Sequence, residues 1–236
     1  MIYLDKLLQD LALNHLKDFG FLDKTQPTYV KEKDLERLIN ILNNTLTHFY
    51  SHYRLLFKSC IIQARVPTTD YYLRNEFSES NLNSVEEYKY IKDVPHNPFY
   101  PEVLNIEFIV DTEGDKLDKN NFHNNLCWFN LGHDGFEISN MHKNEYFSVH
   151  YLANHIPLTN SDYSTQEVNL APFLLEAFKD YITYSLYNTK SGQLSLAQSQ
   201  KFYTMYERKM TKVISSGLIV DYNYDSSTKL QNRGFI

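Results

Sequence analysis

The spacing of hydrophobic residues along this chain changes period twice. Near the amino terminus Leu4, Leu7, Leu8, Leu11 and His15 fall on one helical face, which predicts a helix over about Ile2 to Lys17, closed by Gly20. An extended link, Gln26-Pro27-Thr28-Tyr29, follows. Leu35, Leu38, Ile39, Leu42, Leu46, Phe49 and Tyr50 then recur at i, i+3, i+4 and i+7. This stripe of about five turns predicts a second helix that needs a partner.

The middle of the chain reads as strands. Phe57 to Val66 is rich in β-branched and apolar residues before Pro67, and Val103 to Val110 follows a proline cluster. Thr112-Glu113-Gly114-Asp115 has the composition of a turn leading into Lys116-Leu117. Cys127 to Leu131, Gly132 to Gly135 and Phe136 to Ser139 have the grammar of a hairpin, and Tyr146 to Leu152 offers a further strand before Pro157. Short strands separated by turns indicate an antiparallel sheet or small sandwich.

After Ser164 the helical period returns. Phe173, Leu174, Ala177, Phe178, Tyr181 and Tyr184 line one face, with Pro172 near the start, where its missing N–H does no harm. Ser191-Gly192 breaks the chain before Leu194 to Ile214, whose face carries Leu196, Phe202, Tyr206, Met210 and Val213. The expected fold is therefore α+β: a four-helix bundle of two N-terminal and two C-terminal helices, with an inserted antiparallel β module and an extended C-terminal tail. The boundaries expected are 1–55 and 161–216 for the two halves of the bundle, 56–160 for the β module and 217–236 for the tail.

The tail mixes aliphatics and tyrosines with turn formers and has too little apolar surface to fold alone. It is either a frayed terminus or a peptide that orders in a partner's groove through Tyr222, Tyr224, Leu230 and Phe235.

Composition narrows the function classes. The 236 residues are 42% hydrophobic, enough for a sizeable core, and include 19 Tyr and 15 Phe, which favour large interfaces. No run approaches the roughly 18 apolar residues of a membrane span, and the amino terminus has no signal-peptide pattern, so a soluble protein is expected. Cys60 and Cys127, the only two cysteines, lie in apolar strand contexts and read as buried, reduced thiols.

The net charge of −6 is unevenly distributed. Residues 55–160 carry fifteen acidic and eight basic groups, whereas 1–54 carry seven of each. A module that gripped phosphates would need the opposite sign. The excess is either a solvated acidic surface or a surface that nucleic acid passes without sticking.

Catalytic and metal patterns are weak, and no catalytic residue, metal ligand or cofactor is assigned. His48 and His52 have the spacing of a zinc protease, but Phe49 replaces the general-base carboxylate. His142, His150 and His155 follow no metal spacing. Asp111, Glu113 and Asp115 flank a glycine turn but lack the twelve-residue calcium pattern. No phosphate-binding glycine loop is found among the 7 glycines. Two readings from other classes stay open: a cytosolic metal-dependent hydrolase using the His48/His52 pair, and a monomeric peptide- or carbohydrate-binding module using the aromatics of the β region.

The span from Asp34 through Leu46 and His48 to Lys58, a long helix running into a strand, resembles the head-to-tail adaptor (neck, or tail tubular protein A-like) family of short-tailed bacteriophages. The span Asn169 to Asn188, followed by the helix around Gln200 to Glu207, is similar to that family's final helical pair. The resemblance covers most of the chain as an order of elements. It implies a virion structural protein, assembled in the host cytoplasm into a twelvefold ring between portal and tail nozzle. It also implies that the tail docks on the portal through Tyr222, Tyr224, Leu230, Arg233 and Phe235. Glu107, Asp111, Glu113 and Asp115 would then border the channel through which double-stranded DNA passes unbound.

Overall fold

The computed structural model of the chain describes residues 2–21, 30–65, 68–93, 98–121, 126–139, 145–161 and 163–219. The chain forms two compact units, Met1–Tyr53 with His155–Ile236, and Arg54–Asn154.

In the first unit the opening apolar stripe forms α1, Leu4–Asn14, which buries Leu4, Leu7, Leu8, Leu11 and Ala12. It is shorter than its periodicity suggested. Ile2–Tyr3 is a two-residue strand, β1, and beyond His15 the chain makes a 3₁₀ turn, Lys17–Phe19, ended by Gly20 at φ 67°. The strand β1 pairs antiparallel with β10, Glu167–Val168. The long stripe forms α2, Glu32–Tyr53. Pro172 opens a 3₁₀ turn into α3, Leu175–Asn188, and α4 follows over Gln193–Ser215. Gly217 at φ 70° ends α4, its N–H donating to the Ile214 carbonyl at 2.9 Å, a left-handed cap that glycine adopts without a Cβ penalty.

The expected four-helix bundle carrying an inserted antiparallel β module is not what forms. A bundle needs four helices of comparable reach, each burying one stripe. At 1.5 Å per residue, α1 is only about 16 Å long against about 33 Å for α2, and the β1–β10 ladder joins the chain beside it. The helix α3 buries the consecutive residues Ala177–Asp180 as well as Ile182, Thr183, Leu186 and Tyr187, so it is covered on more than one side. By contrast α4 buries only Ser199, Tyr206, Met210 and Val213. The other three helices gather around α3: Asp10 of α1 pairs with Lys179, Phe49 of α2 meets Phe178 edge-on at 5.4 Å, and Phe202 of α4 stacks on Tyr187 at 5.7 Å.

The second unit contains two four-stranded sheets. One has the order β4-β2-β9-β5, formed by β2 (Phe57–Gln63), β4 (Ile91–Lys92), β5 (Val103–Val110) and β9 (Tyr146–Ala153). The other has the order β3-β8-β7-β6, formed by β3 (Asp70–Tyr72), β6 (Asp118–Lys119), β7 (Cys127–Asn130) and β8 (Gly135–Ile138). The predicted hairpin is β7–β8, with Trp128 opposite Ile138 and Asn130 opposite Phe136. Gly135 is required there because a Cβ would lie 2.7 Å from the Tyr72 ring. The β region is not purely antiparallel: β6 pairs parallel to β7.

Alternation places Cys60 and Ile62 of β2 and Phe147, Val149 and Tyr151 of β9 in one core with Tyr71, Trp128, Phe136 and Ile138. Cys60 and Cys127 are buried free thiols, as their apolar contexts suggested. Burial pushes the Cys60 thiol well above its ordinary value, so it is an inert core residue. Among the described residues, no helix is long and apolar enough to cross a membrane.

Candidate functional site

The first unit holds two polar constellations. One is an aromatic seam where α2, α3 and α4 meet. Spacing of i, i+4 puts His48 and His52 on one face of α2, and their rings stack at 5.5 Å. His48 also stacks on Tyr181 of α3 at 4.5 Å. Its Nε2 lies 3.2 Å from the Tyr206 hydroxyl of α4, which lies 2.5 Å from the Tyr53 hydroxyl. Burial, then the neighbouring His52, push the His48 pKa below its ordinary value, and burial raises Tyr206 and Tyr53.

The neutral state therefore dominates at neutral pH, with the phenols and imidazole joined in a relay. Face-to-face imidazoles do not converge their lone pairs on one point, and one nitrogen of His48 already faces a phenol. Among the described residues, no group of three or more His, Cys, Asp or Glu side chains is placed to hold a metal ion.

The second constellation is ionic. Lys179 and Asp180 are buried in the middle of α3. Lys179 pairs with Asp10 of α1 and, at 2.7 Å, with Glu176. Asp180 lies 2.7 Å from Lys209 of α4. Burial opposes the charge on Lys179, but hydrogen bonds from its ammonium to Asp10 and Glu176 outweigh burial and hold its pKa above the ordinary value. The same bonds hold Glu176 and, against burial, Asp10 below theirs. Beside this network His15 meets the Thr183 hydroxyl at 3.0 Å. Thr183 already donates to the Lys179 carbonyl at 2.8 Å, so His15 Nδ1 is the donor.

A fourth histidine, His155, is also built in. Its Nδ1–H donates to the Ile156 carbonyl, and its Nε2 accepts the Asn169 N–H at 3.1 Å. Tyr50 of α2 packs edge-on against the ring at 5.7 Å and donates its hydroxyl to the Asn169 carbonyl. Burial lowers the His155 pKa.

The acidic residues singled out from the sequence all lie in the second unit. Asp111 Oδ1 accepts the N–H groups of Glu113 and Asp115, each at 2.9 Å. This closes the turn around Gly114 at φ 92°, so three of the four acidic residues share one turn. Glu113 and Asp115 are exposed. Glu107 stands apart on β5, paired with Arg54 and bonded by Asn105 at 3.1 Å. Of the other histidines, His150 stacks on Phe108 at 4.4 Å, while His142 lies outside the described residues. So do Tyr222, Tyr224, Leu230, Arg233 and Phe235.

Periodicity missed the ionic network because Lys179 and Asp180 read as ordinary breaks in an apolar helix. The usable signal was their position within the otherwise apolar run Phe178 to Ile182. A separate cleft of about 510 Å³ in the first unit is lined, among the described residues, by Leu8, Leu35 and Tyr163 with the carboxylates Asp5 and Glu32, and by no basic residue. No protein-family model and no curated protein matches the chain.

Proposed function

We propose that this protein is a virion structural protein, the head-to-tail adaptor of a short-tailed bacteriophage, which forms a ring between portal and tail nozzle around the DNA channel. The observation that carries the proposal is the face of α4. This helix is 23 residues long and buries only four, leaving Leu196, Tyr203 and Ile214 exposed. Those residues recur within about 40° of one another on the helix, an apolar line interrupted by the exposed Glu207 between Tyr203 and Ile214. An exposed stripe on an ordered helix suits assembly with other proteins. The constellations of the first unit join helices to one another and act in this reading as scaffold.

The portal contact is assigned to residues 217–236, with Tyr222, Tyr224, Leu230, Arg233 and Phe235 as anchors, and the charge excess of residues 55–160 to the DNA path. Glu113 and Asp115 are exposed and support that role better than Glu107, which is paired with Arg54.

The test is electron microscopy of the purified chain mixed with its portal protein, in parallel with a chain ending at Gly217. Rings seated on the portal for the full chain, and their loss on truncation, are expected. Absence of any complex at saturating portal would remove the adaptor reading. Complexes of undiminished affinity after truncation would move the docking surface onto the helices.

A further inference from the structure

The side of α4 turned away from the core is basic, in a chain whose net charge is −6. Lys201, Thr204, Arg208, Lys212 and Ser215 are all exposed, and at about 100° per residue they fall within an arc of about 80°. That arc lies opposite the buried Tyr206, Met210 and Val213. It is also about 120° round the helix from the line of Leu196, Tyr203 and Ile214, so the two surfaces of α4 are separate. The three cations span about 16 Å along the axis. Lys209 is not one of them, because it sits on the flank and is engaged by Asp180 at 2.7 Å.

The surroundings have the same sign. The helix α2 lies beside α4: Arg37 Nη2 donates to Thr189 Oγ1 at 3.4 Å, just before α4 begins, and His48 meets the Tyr206 hydroxyl at 3.2 Å. Beyond Glu36, α2 carries Arg37 and no carboxylate, and residues 181–219 carry five basic groups against one acidic, Glu207. Up to residue 219, the other acidic groups of the first unit belong to 1–36 and 160–180. The near-balanced charge of that unit is therefore divided, with its positive share along α4 and the neighbouring part of α2.

We propose that this ridge binds the phosphate backbone of double-stranded DNA without reading its sequence, Lys201, Arg208 and Lys212 each neutralising one phosphate. Protein interfaces gather apolar and aromatic groups at their centre and deplete charge there, whereas surfaces for nucleic acid are more polar and much more positive. From Lys201 onward the arc holds neither an apolar side chain nor a carboxylate, which fits the second kind of partner. The acidic second unit repels the same polyanion, so the chain meets DNA by this face and holds it weakly. The proposal goes beyond the adaptor reading, which uses the tail and the apolar line on another side of α4.

The test is fluorescence anisotropy of a labelled, mixed-sequence DNA duplex of about 20 base pairs, titrated with the full chain at several salt concentrations. Counterion release from three phosphates gives a slope of log K against log salt of about −2.7, so affinity should fall about fortyfold for a fourfold rise in salt. R208Q/K212Q should reduce the slope to about −0.9, and K201Q alone to about −1.8. K116Q/K119Q removes two exposed cations of the second unit and should leave the slope unchanged. All the substituted positions are exposed, and far-UV circular dichroism checks that each variant is folded.

A duplex left unbound at about 1 mM chain in low salt would overturn the proposal. So would equal changes of slope for the ridge variants and for K116Q/K119Q. Ridge variants that weaken self-association of the chain in sedimentation velocity, with DNA unbound throughout, would also overturn it, because the ridge would then face an acidic surface of another copy. Rings on the portal from a chain that ignores DNA would overturn this contact while leaving the adaptor reading intact. DNA binding with the expected slopes by a chain that never joins portal would do the reverse.

Discussion

The two units carry their charge in opposite ways. Residues 55–160 hold the entire negative excess of the chain, yet the buried polar residues described in the second unit reduce to Ser78, and its core is aromatic and aliphatic. The first unit is nearly balanced in charge but buries Lys179, Asp180, His155, Thr45, Thr183 and Ser199. Net charge therefore says little about where charge does structural work. A surplus at the surface is solvated at small cost, whereas a buried ion must be answered by a partner on another element. In the first unit those partners come from α1, α3 and α4, so the ion pairs tie together elements far apart in sequence.

The largest expected effect sharpens this contrast from the apolar side. Phe136→Ala should destabilise the second unit by about 3–5 kcal/mol, as for other large-to-small aromatic truncations in a core. Trp128 is the only tryptophan and lies in the same core, so its fluorescence during urea unfolding reports this unit. An unchanged midpoint would show that the core tolerates the cavity.

Next comes the ionic network. Lys209→Ala leaves the Asp180 carboxylate buried without its cation and should cost about 3 kcal/mol, the lower end for a broken buried pair because Lys209 is partly exposed. Helix loss followed by circular dichroism should shift. Asp180→Leu combined with Lys209→Met should recover most of the loss, since a buried pair can be replaced by apolar groups of similar volume. If the double variant is no better than the single, the pair is not the source of the cost.

Three histidines of the first unit, His155 buried and His15 and His48 half-buried, give it a pH dependence of determined sign. His15, His48 and His155 all have pKa values lowered chiefly by burial, so the unfolded chain binds protons more readily than the folded one. Stability is full above the ordinary histidine value of about 6.5 and falls as pH drops toward the folded values, by up to about tenfold per pH unit for each group. The local probe is hydrogen exchange at the Asn169 amide, whose acceptor is His155 Nε2. Its protection should fall between neutral pH and pH 5 in wild type and stay level in His155→Gln. Equal behaviour of the two proteins would mean that the imidazole does not control that contact. A second loss is expected below the ordinary carboxylate range, where Asp10 and Glu176, both held low by Lys179, take up protons.

The smallest effect belongs to the aromatic seam. Tyr206→Phe keeps the ring stack but removes the hydroxyl that joins His48 to Tyr53, and should cost about 1–2 kcal/mol. A change within error would make the seam's stability a matter of ring packing alone.

Where an element carried its own long pattern, the sequence was enough to find it. The seven apolar positions from Leu35 to Tyr50 repeat over the length of α2, and the turn formers Gly132 to Gly135 between apolar runs mark the β7–β8 hairpin. The same logic overreached at the amino terminus. A helical stripe beginning at Leu4 predicts helix from Ile2 onward, but Ile2 and Tyr3 form a strand because Glu167 and Val168 arrive from late in the chain to pair with them. Two residues are too few to show a period of two.

By itself, then, the sequence determined the existence of the four helices, the β7–β8 hairpin, the apolar faces of α1 and α2 and the buried, reduced state of the cysteines, because each of these follows from neighbours a few residues apart. Only the tertiary structure decided that α3 is the helix around which the others gather, that β6 runs parallel to β7, that Lys179 is buried between Asp10 and Glu176 and Asp180 is buried 2.7 Å from Lys209, and that Glu107 is paired while Glu113 and Asp115 are exposed. Those outcomes depend on which distant segments meet, and burial and pairing are properties of the meeting, not of either segment alone.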